Sequence, residues 1–265
     1  MNANLNFLKI SATGNDFILF DNRQKKLDAR ADREFFRRIC RRRFSVGADG
    51  VILLQNSERA DFEYVHINSD GSIAEMCGNG SRAIAFFAHR LGIVTEEMSF
   101  EINGQLYHAR VQEQTVTTEF IPPEKIELDL DIVTEPELQE GGLADTGVPH
   151  FVIFTTDVDK LPVHVLGKKY RHHRKFSKGS NIDFVQVVKE NHLKVRTFER
   201  GVEAETLSCG TGAVASAIIS HIRKGTQSPT TITFPGGDLT IAYNPDFSKI
   251  TLTGTVTPVY EGRLL

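Results

Sequence analysis

The sequence predicts an α/β (α+β) protein built of two pseudo-symmetric halves. Three pairs of features carry that expectation. A cysteine followed by Gly-x-Gly and then by an apolar helical segment occurs twice, at Cys77-Gly78-Asn79-Gly80 and at Cys209-Gly210-Thr211-Gly212. Thr13-Gly14 ahead of an apolar strand is matched by Thr146-Gly147, and Asn68 at a strand end is matched by Glu199. Each pair is separated by about 132 residues, half the chain, which is the mark of an internal duplication.

Taken in order, Phe7–Ser11 is a short strand, Ala12–Asp16 a turn and Phe17–Phe20 a continuous apolar run of the kind that forms a buried strand. Asp32–Arg43 reads as a helix, with an acid at its start and arginines at its end, the order the macrodipole favours. Phe35, Phe36 and Ile39 form its apolar side, and Cys40 reads as a core residue. Val51–Leu54 is a second buried strand. Phe62–Ile67 alternates as a half-buried strand and ends in the turn Asn68-Ser69-Asp70-Gly71. The first cysteine helix follows, with Gly92 as its stop. After further strand-like segments, Pro122-Pro123 breaks the chain, and 124–140 reads as an acidic, solvated stretch. The second half then repeats the plan. Strands are expected at Phe151–Phe154, Asn181–Val188 and Leu193–Phe198, the cysteine helix after Cys209, and antiparallel strands to the end.

Composition narrows the function classes. The chain of 265 residues is 40% hydrophobic and 25% charged, ordinary for a globular protein. A net charge of −3 offers no general attraction to nucleic acid or to an anionic membrane. No apolar run approaches the roughly 18 residues of a membrane span. The opening segment, Met1–Phe7, has neither the charged stretch nor the long apolar core of a secretory leader. Three cysteines are too few and too scattered for a disulfide scaffold. A soluble cytoplasmic protein with reduced thiols is expected. Arg37–Arg43 offers a basic patch, but its arginines are explained by their place at a helix C-terminus.

A cysteine at a helix start sits among open backbone N–H groups, which favour negative charge and can lower a thiol from about 8.5 into roughly 3.5–7.5. Two such thiols from similar domains are expected to face one shared cleft. Metal binding is disfavoured, because the chain has no C-x-x-C and no histidine spacing that completes a tetrahedral site. His172-His173 lies in a basic run that reads as a solvated face. A lone nucleophile leaves one motif idle. A redox pair forming a Cys77–Cys209 disulfide remains open. A thiolate and a thiol on opposite faces of one carbon acid use both motifs: one removes the Cα proton and the other delivers one from the far side, inverting the centre. The helix starts can hold the α-carboxylate as charge moves onto it. The glycine turns also match a loose G-x-G-x-x-A pattern, at Gly78–Ala83 and Gly210–Ala215, which leaves dinucleotide binding as an alternative.

The chain resembles the diaminopimelate epimerases over nearly its full length. The likeness runs through Lys9–Phe17, Gly47–Gly50, Asn68-x-Asp70-Gly71, Met76–Gly80, Pro149-His150, Gly179–Asn181 and Glu199-Arg200-Gly201 with Cys209–Gly212. It implies two domains, each a mixed barrel-like sheet around a central helix, with the last strand crossing back. The halves are then 1–119 with 255–265, and 120–254. It also implies a homodimer, a small amino-acid substrate, and no cofactor, neither pyridoxal phosphate nor a metal. Cys77 and Cys209 become the acid/base pair. Gly78, Asn79, Gly210 and Thr211 grip the α-carboxylate, and Asn15, Asn68, Asn181 and Arg200 bind the remaining polar groups. Glu199 takes the ammonium and, with His150, influences the thiol pKa values. Two positions depart from the pattern. Val148 replaces an asparagine common before the Pro-His pair, and Gly50 stands where some members have glutamine. A racemase acting on another amino acid is the alternative.

Overall fold

The computed structural model describes residues 5–74 and 76–265. The first four residues, read above for a leader, lie outside them. Contacts divide the chain into one unit running to Glu119 and resuming at Gly254–Leu265, and a second unit, Phe120–Thr253.

The first unit runs β1 (Leu5–Ala12), β2 (Asn15–Asp21), α1 (Arg33–Ile39), β3 (Gly50–Gln55), β4 (Phe62–Asn68), α2 (Gly78–Arg90), β5 (Glu97–Ile102), β6 (Gln105–Gln112) and β7 (Thr115–Phe120). The second runs β8 (Lys125–Glu127), β9 (Leu138–Asp145), β10 (Pro149–Thr155), α3 (Val163–Arg171), β11 (Asn181–Lys189), β12 (His192–Glu199), β13 (Ala204–Thr206), α4 (Gly210–Lys224), β14 (Thr230–Phe234) and β15 (Gly237–Tyr243). β16 (Ile250–Leu264) starts in the second unit and finishes in the first.

In the first unit the strands follow the order β1 to β7, and β16 lies between β7 and β1, closing an eight-stranded barrel. α2 is buried on every side and fills the barrel, packing Ile84, Phe86 and Phe87 against the inward residues of the strands. β2 is buried on both faces, and alternation decides what each side chain meets. Phe17 and Leu19 face the α2 core, whereas Ile18 and Phe20 pack outward with Phe36 and Ile39 of α1. That is why its run reads as uninterrupted apolar sequence.

The second unit repeats the plan. β9–β10, β11–β12 and β14–β15 are antiparallel pairs joined by parallel β10/β11 and β12/β14 pairings. The first unit has the same alternation in β1–β2, β3–β4 and β5–β6, joined by β2/β3 and β4/β5. α4 takes the position of α2 and α3 that of α1.

Three sequence expectations need correction. The first helix ends at Ile39, four residues early, because the chain turns back to cap it: Gly47 N–H donates to Ile39 O (2.9 Å) and Ala48 N–H to Cys40 O (3.1 Å). The acidic stretch 124–140 is not simply solvated. It opens with β8, and its alternating Leu130 and Ile132 are buried while the Glu140 carboxylate accepts from both of their N–H groups (2.6 and 3.1 Å). The basic run near His172 is largely exposed, with only Tyr170, at the end of α3, buried within it. The strands β9 and β13 were not foreseen, being glycine-rich or very short.

α3 lies so close on β12 that a Cβ at Gly167 would stand 2.3 Å from the Phe198 Cβ. Gly167→Ala is therefore expected to destabilise the protein by about 1–3 kcal/mol through overpacking. A lowered urea midpoint checks this; an unchanged one would contradict the packing.

Candidate active site

Both cysteine turns lie at one end of their sheet, and strand register explains which side chains join them. In the first unit Phe17 on β2 pairs with Gly50 on β3, which pairs with Asn68 on β4, so Asn15, Gly50 and Asn68 share the edge. In the second, His150 on β10 pairs with Asn181 on β11, and Ile182 pairs with Phe198 on β12, bringing Glu199 to the same edge. Each central helix begins there with its cysteine as N-cap. The residue is extended at both positions (φ −127° and −137°), and helical bonding starts with Ser81 N–H to Cys77 O (2.8 Å) and Ala213 N–H to Cys209 O (2.9 Å). The N–H groups of each Gly-x-Gly turn thus precede the bonded ladder, the arrangement that binds anions.

Around Cys77, which is partly exposed, the Asn79 amide donates to Asn15 Oδ1 (2.5 Å), and Asn15 donates to Asp49 Oδ2 (3.2 Å). Asp49 and Asp16 are held by Arg42, which engages Asp16 Oδ2 at 2.9 Å and Asp49 Oδ1 at 2.8 Å; Lys9 adds a 2.7 Å ion pair to Asp16. Arg42, the candidate nucleic-acid contact, is thus committed to fixing the Asn15 edge. Asn68 turns its amide to the Ser72 hydroxyl (3.0 Å). Gly80 packs against β3 and β4, where a Cβ would make ordinary contacts with Ile52 Cδ1 at 3.4 Å and His66 Nδ1 at 3.7 Å.

Around Cys209 the structure joins several sequence candidates into one network. Cys209 Sγ accepts from Gly212 N–H and lies 3.4 Å from Thr211 Oγ1. Thr211 Oγ1 is 2.9 Å from His150 Nε2, and Asn181 Nδ2 is 3.2 Å from the same nitrogen. Asn181 Oδ1 accepts from Arg200 N–H (2.7 Å). His150 Nδ1 meets Asp183 Oδ2 at 2.7 Å, and the Thr197 hydroxyl donates to Asp183 Oδ1 at 2.6 Å.

The expected lowering of the thiol pKa does not hold at Cys209. Burial, followed by the charges of Glu199 and Asp183, pushes it well above its ordinary value, and these outweigh the opposing bonds from Thr211 and Gly212 N–H. Cys40 is a buried core thiol, raised to about 11 by burial. All three cysteines are free. Among the described residues no group of three or more His, Cys, Asp or Glu side chains is placed to hold a metal, and no helix is long and apolar enough to cross a membrane.

Sequence reasoning overlooked Asp183, Thr197 and Arg82. Asp183 and Arg82 could have been flagged, each being a charge inside an otherwise apolar strand or helix. Thr197 carries no such signal.

A family model described as "Diaminopimelate epimerase" matches residues 7–121 and 142–259. A diaminopimelate epimerase of Aquifex aeolicus is 42% identical over 98% of both chains, and one of Hydrogenobaculum is 38% identical over 97% of both. Among solved structures, a PhzF-family phenazine biosynthesis protein of Bacillus anthracis superposes with a TM-score of 0.77 at 14% identity, covering 99% of each chain. A hydroxyproline epimerase from Agrobacterium vitis superposes with a TM-score of 0.68 at 17% identity, covering 98% of this chain and 92% of its own. These two likenesses concern the fold.

Proposed function

The chain belongs to the diaminopimelate epimerase family, a family of isomerases, and from that premise we propose how its two cysteine turns invert an amino-acid centre. The reaction is the interconversion of LL- and meso-diaminopimelate, a step toward lysine and peptidoglycan precursors. The observation that carries the proposal is the twofold occurrence of a cysteine N-cap followed by Gly-x-Gly at the start of a buried helix.

One sulfur, as thiolate, takes the Cα proton: the C–H bond breaks, an S–H bond forms, and the electron pair spreads into the α-carboxylate. The other sulfur, as thiol, delivers its proton to the opposite face of the carbon. Helix-start N–H groups at Gly78-Asn79 and Gly210-Thr211 hold the carboxylate while its charge grows. Asn15, Asn68 and Asn181 bind polar groups of the substrate. Arg200 grips the distal carboxylate, a bidentate match, and Glu199 accepts from the ammonium. His150 acts on Cys209 through Thr211. The chemistry draws on the two thiols and calls for no pyridoxal phosphate, so added cofactor should leave the rate unchanged. Reduced thiols suit the cytoplasm, and the family resemblance favours a homodimer, which light scattering would check.

A second amino acid as substrate is favoured by two positions. Val148, in the turn where Thr146 N–H donates to Val148 O (3.2 Å), supplies no amide side chain. A side chain at Gly50 would meet His66 Nε2 and Ile67 O, each at 2.8 Å from its Cβ, so no glutamine fits there without displacing His66. Epimerisation and α-hydrogen exchange in deuterated solvent, measured on LL-diaminopimelate beside a panel of L-amino acids, decide between the two. Diaminopimelate is expected to turn over fastest, by tenfold or more as an order-of-magnitude estimate. Faster turnover of any other amino acid would overturn the assignment of substrate.

A further inference from the structure

α2 lies in the barrel core, yet its fifth residue is Arg82, with no exposed surface. Long helical side chains lean toward the N-terminus, so an arginine one turn in reaches the helix start. The guanidinium donates to Gly78 O (3.2 Å), Asn79 Oδ1 (2.7 Å) and Thr13 Oγ1 (2.9 Å). All three acceptors are neutral, and among the described residues no carboxylate pairs with it. Burying a charge without a counter-ion is costly. A position that needed only bulk would carry an apolar side chain, as the fifth residue of α4, Val214, does.

Two of the three acceptors lead to Asn15. Thr13 and Gly14 make the two-residue turn between β1 and β2, both at positive φ (48° and 90°), and Asn15 follows at once, paired with Ala12. A tight hairpin asks for that conformation, and a β-branched residue rarely adopts it. The Arg82 bond to Thr13 Oγ1 therefore ties a strained turn to the start of α2. The second acceptor, Asn79, touches Asn15 directly.

The direction of every bond in this chain follows from its two ends. A guanidinium only donates, so Asn79 presents its oxygen to Arg82 and its NH2 to Asn15. Asn15 answers with its oxygen, and its own NH2 turns to Asp49 Oδ2 (3.2 Å). Asp49 accepts from Asp16 N–H (3.2 Å) and from Arg42 (2.8 Å) as well, so it is a carboxylate that only accepts. Neither amide can turn over without setting NH2 against the guanidinium or oxygen against the carboxylate. Asn15 is partly exposed and keeps one amide hydrogen for a ligand.

We propose that Arg82 and Asp49 are the two poles of a polar relay, running from Arg82 through Asn79 and Asn15 to Asp49, that fixes Asn15 as a hydrogen-bond donor to a carboxylate oxygen of the substrate. The inference deepens the epimerase reading, on which the identity of the ligand rests. Arg82 and Asp49 are positioning residues that act through the two asparagines.

Asparagine-selective 15N labelling of the full chain reads the relay without substrate. The Asn15 side-chain amide pair is assigned by its loss in Asn15→Ala. In Arg82→Met it is expected to shift and to exchange with solvent about fivefold faster, the factor that one hydrogen bond of ordinary strength is worth. Arg82→Lys, which still only donates, should restore most of its position. From the other end, Asp49→Ala should move the Asn79 pair, assigned by its loss in Asn79→Ala. In turnover, Arg82→Met should raise KM by about fivefold with kcat less affected, and should add nothing once Asn15 is alanine. An Asn15 pair unmoved in Arg82→Met would overturn the proposal, as would KM effects of Arg82→Met and Asn15→Ala that simply multiply. Should Arg82→Met fail to fold, Asp49→Ala, at the half-exposed end of the relay, decides through the Asn79 pair. The spectra need no turnover, so the two failures are distinguishable. An Asn15 amide indifferent to Arg82 sinks the relay and spares the epimerase, whereas an intact relay in a protein that epimerises no amino acid sinks the epimerase reading.

Discussion

Replacing either Cys77 or Cys209 with alanine is expected to lower epimerisation by about a thousandfold or more, within the range that a positioned acid or base contributes. Inversion needs a proton removed on one face and supplied on the other, so each sulfur is indispensable for a different half of the reaction. A single-nucleophile mechanism would instead make one alanine variant inactive and leave the other near normal. Activity on LL-diaminopimelate, measured beside far-ultraviolet circular dichroism to confirm folding, separates the cases. Full activity in either variant would refute the two-thiol chemistry. The substitution removes little volume at either site, so a large stability effect is not expected to obscure the result.

Asp183→Ala is expected to be the most damaging change outside the cysteines. The carboxylate is completely buried and accepts from both His150 Nδ1 and Thr197 Oγ1. Its removal leaves two buried donors without a partner, at about 1–3 kcal/mol each, so a loss of about 2–6 kcal/mol in urea unfolding is anticipated. His150 would also lose the carboxylate that orients its ring beside Thr211. The Cys209 pKa should then fall, since one of the negative charges that raises it is gone. A stable variant with an unshifted Cys209 titration would show that Asp183 does neither task.

Much of the site was legible because its signals are local. The cysteine, its glycine turn and the apolar helix behind it are contiguous, and the second copy half a chain later marked them as parts of a duplicated plan. Asn68 and Glu199 were recognisable as strand ends because turn residues follow them. Val148 and Gly50 were visible as departures, but their meaning depends on what surrounds them. Gly50 is accommodated to the His66 side chain on the neighbouring strand, a fact that no spacing along the chain contains.

The elements missed share a cause. β13 is three residues long, and β9 contains the pair Gly141-Gly142, so neither has the periodicity that identifies a strand. The buried face of 124–140 was hidden by its acids, because composition records charge while alternation decides which side chains point inward.

By itself the sequence determined the duplication, the two cysteine helix starts and the family. These follow from local pattern and its repetition. Only the tertiary structure decided the surroundings of Cys209. Asp183 acts through burial and through His150 and Thr197 on the neighbouring strands, residues far apart in the chain. A helix start alone predicts a lowered thiol pKa. Desolvation, followed by nearby carboxylates, reverses that prediction at Cys209, because taking a thiolate out of water costs more than the helix-start bonds return.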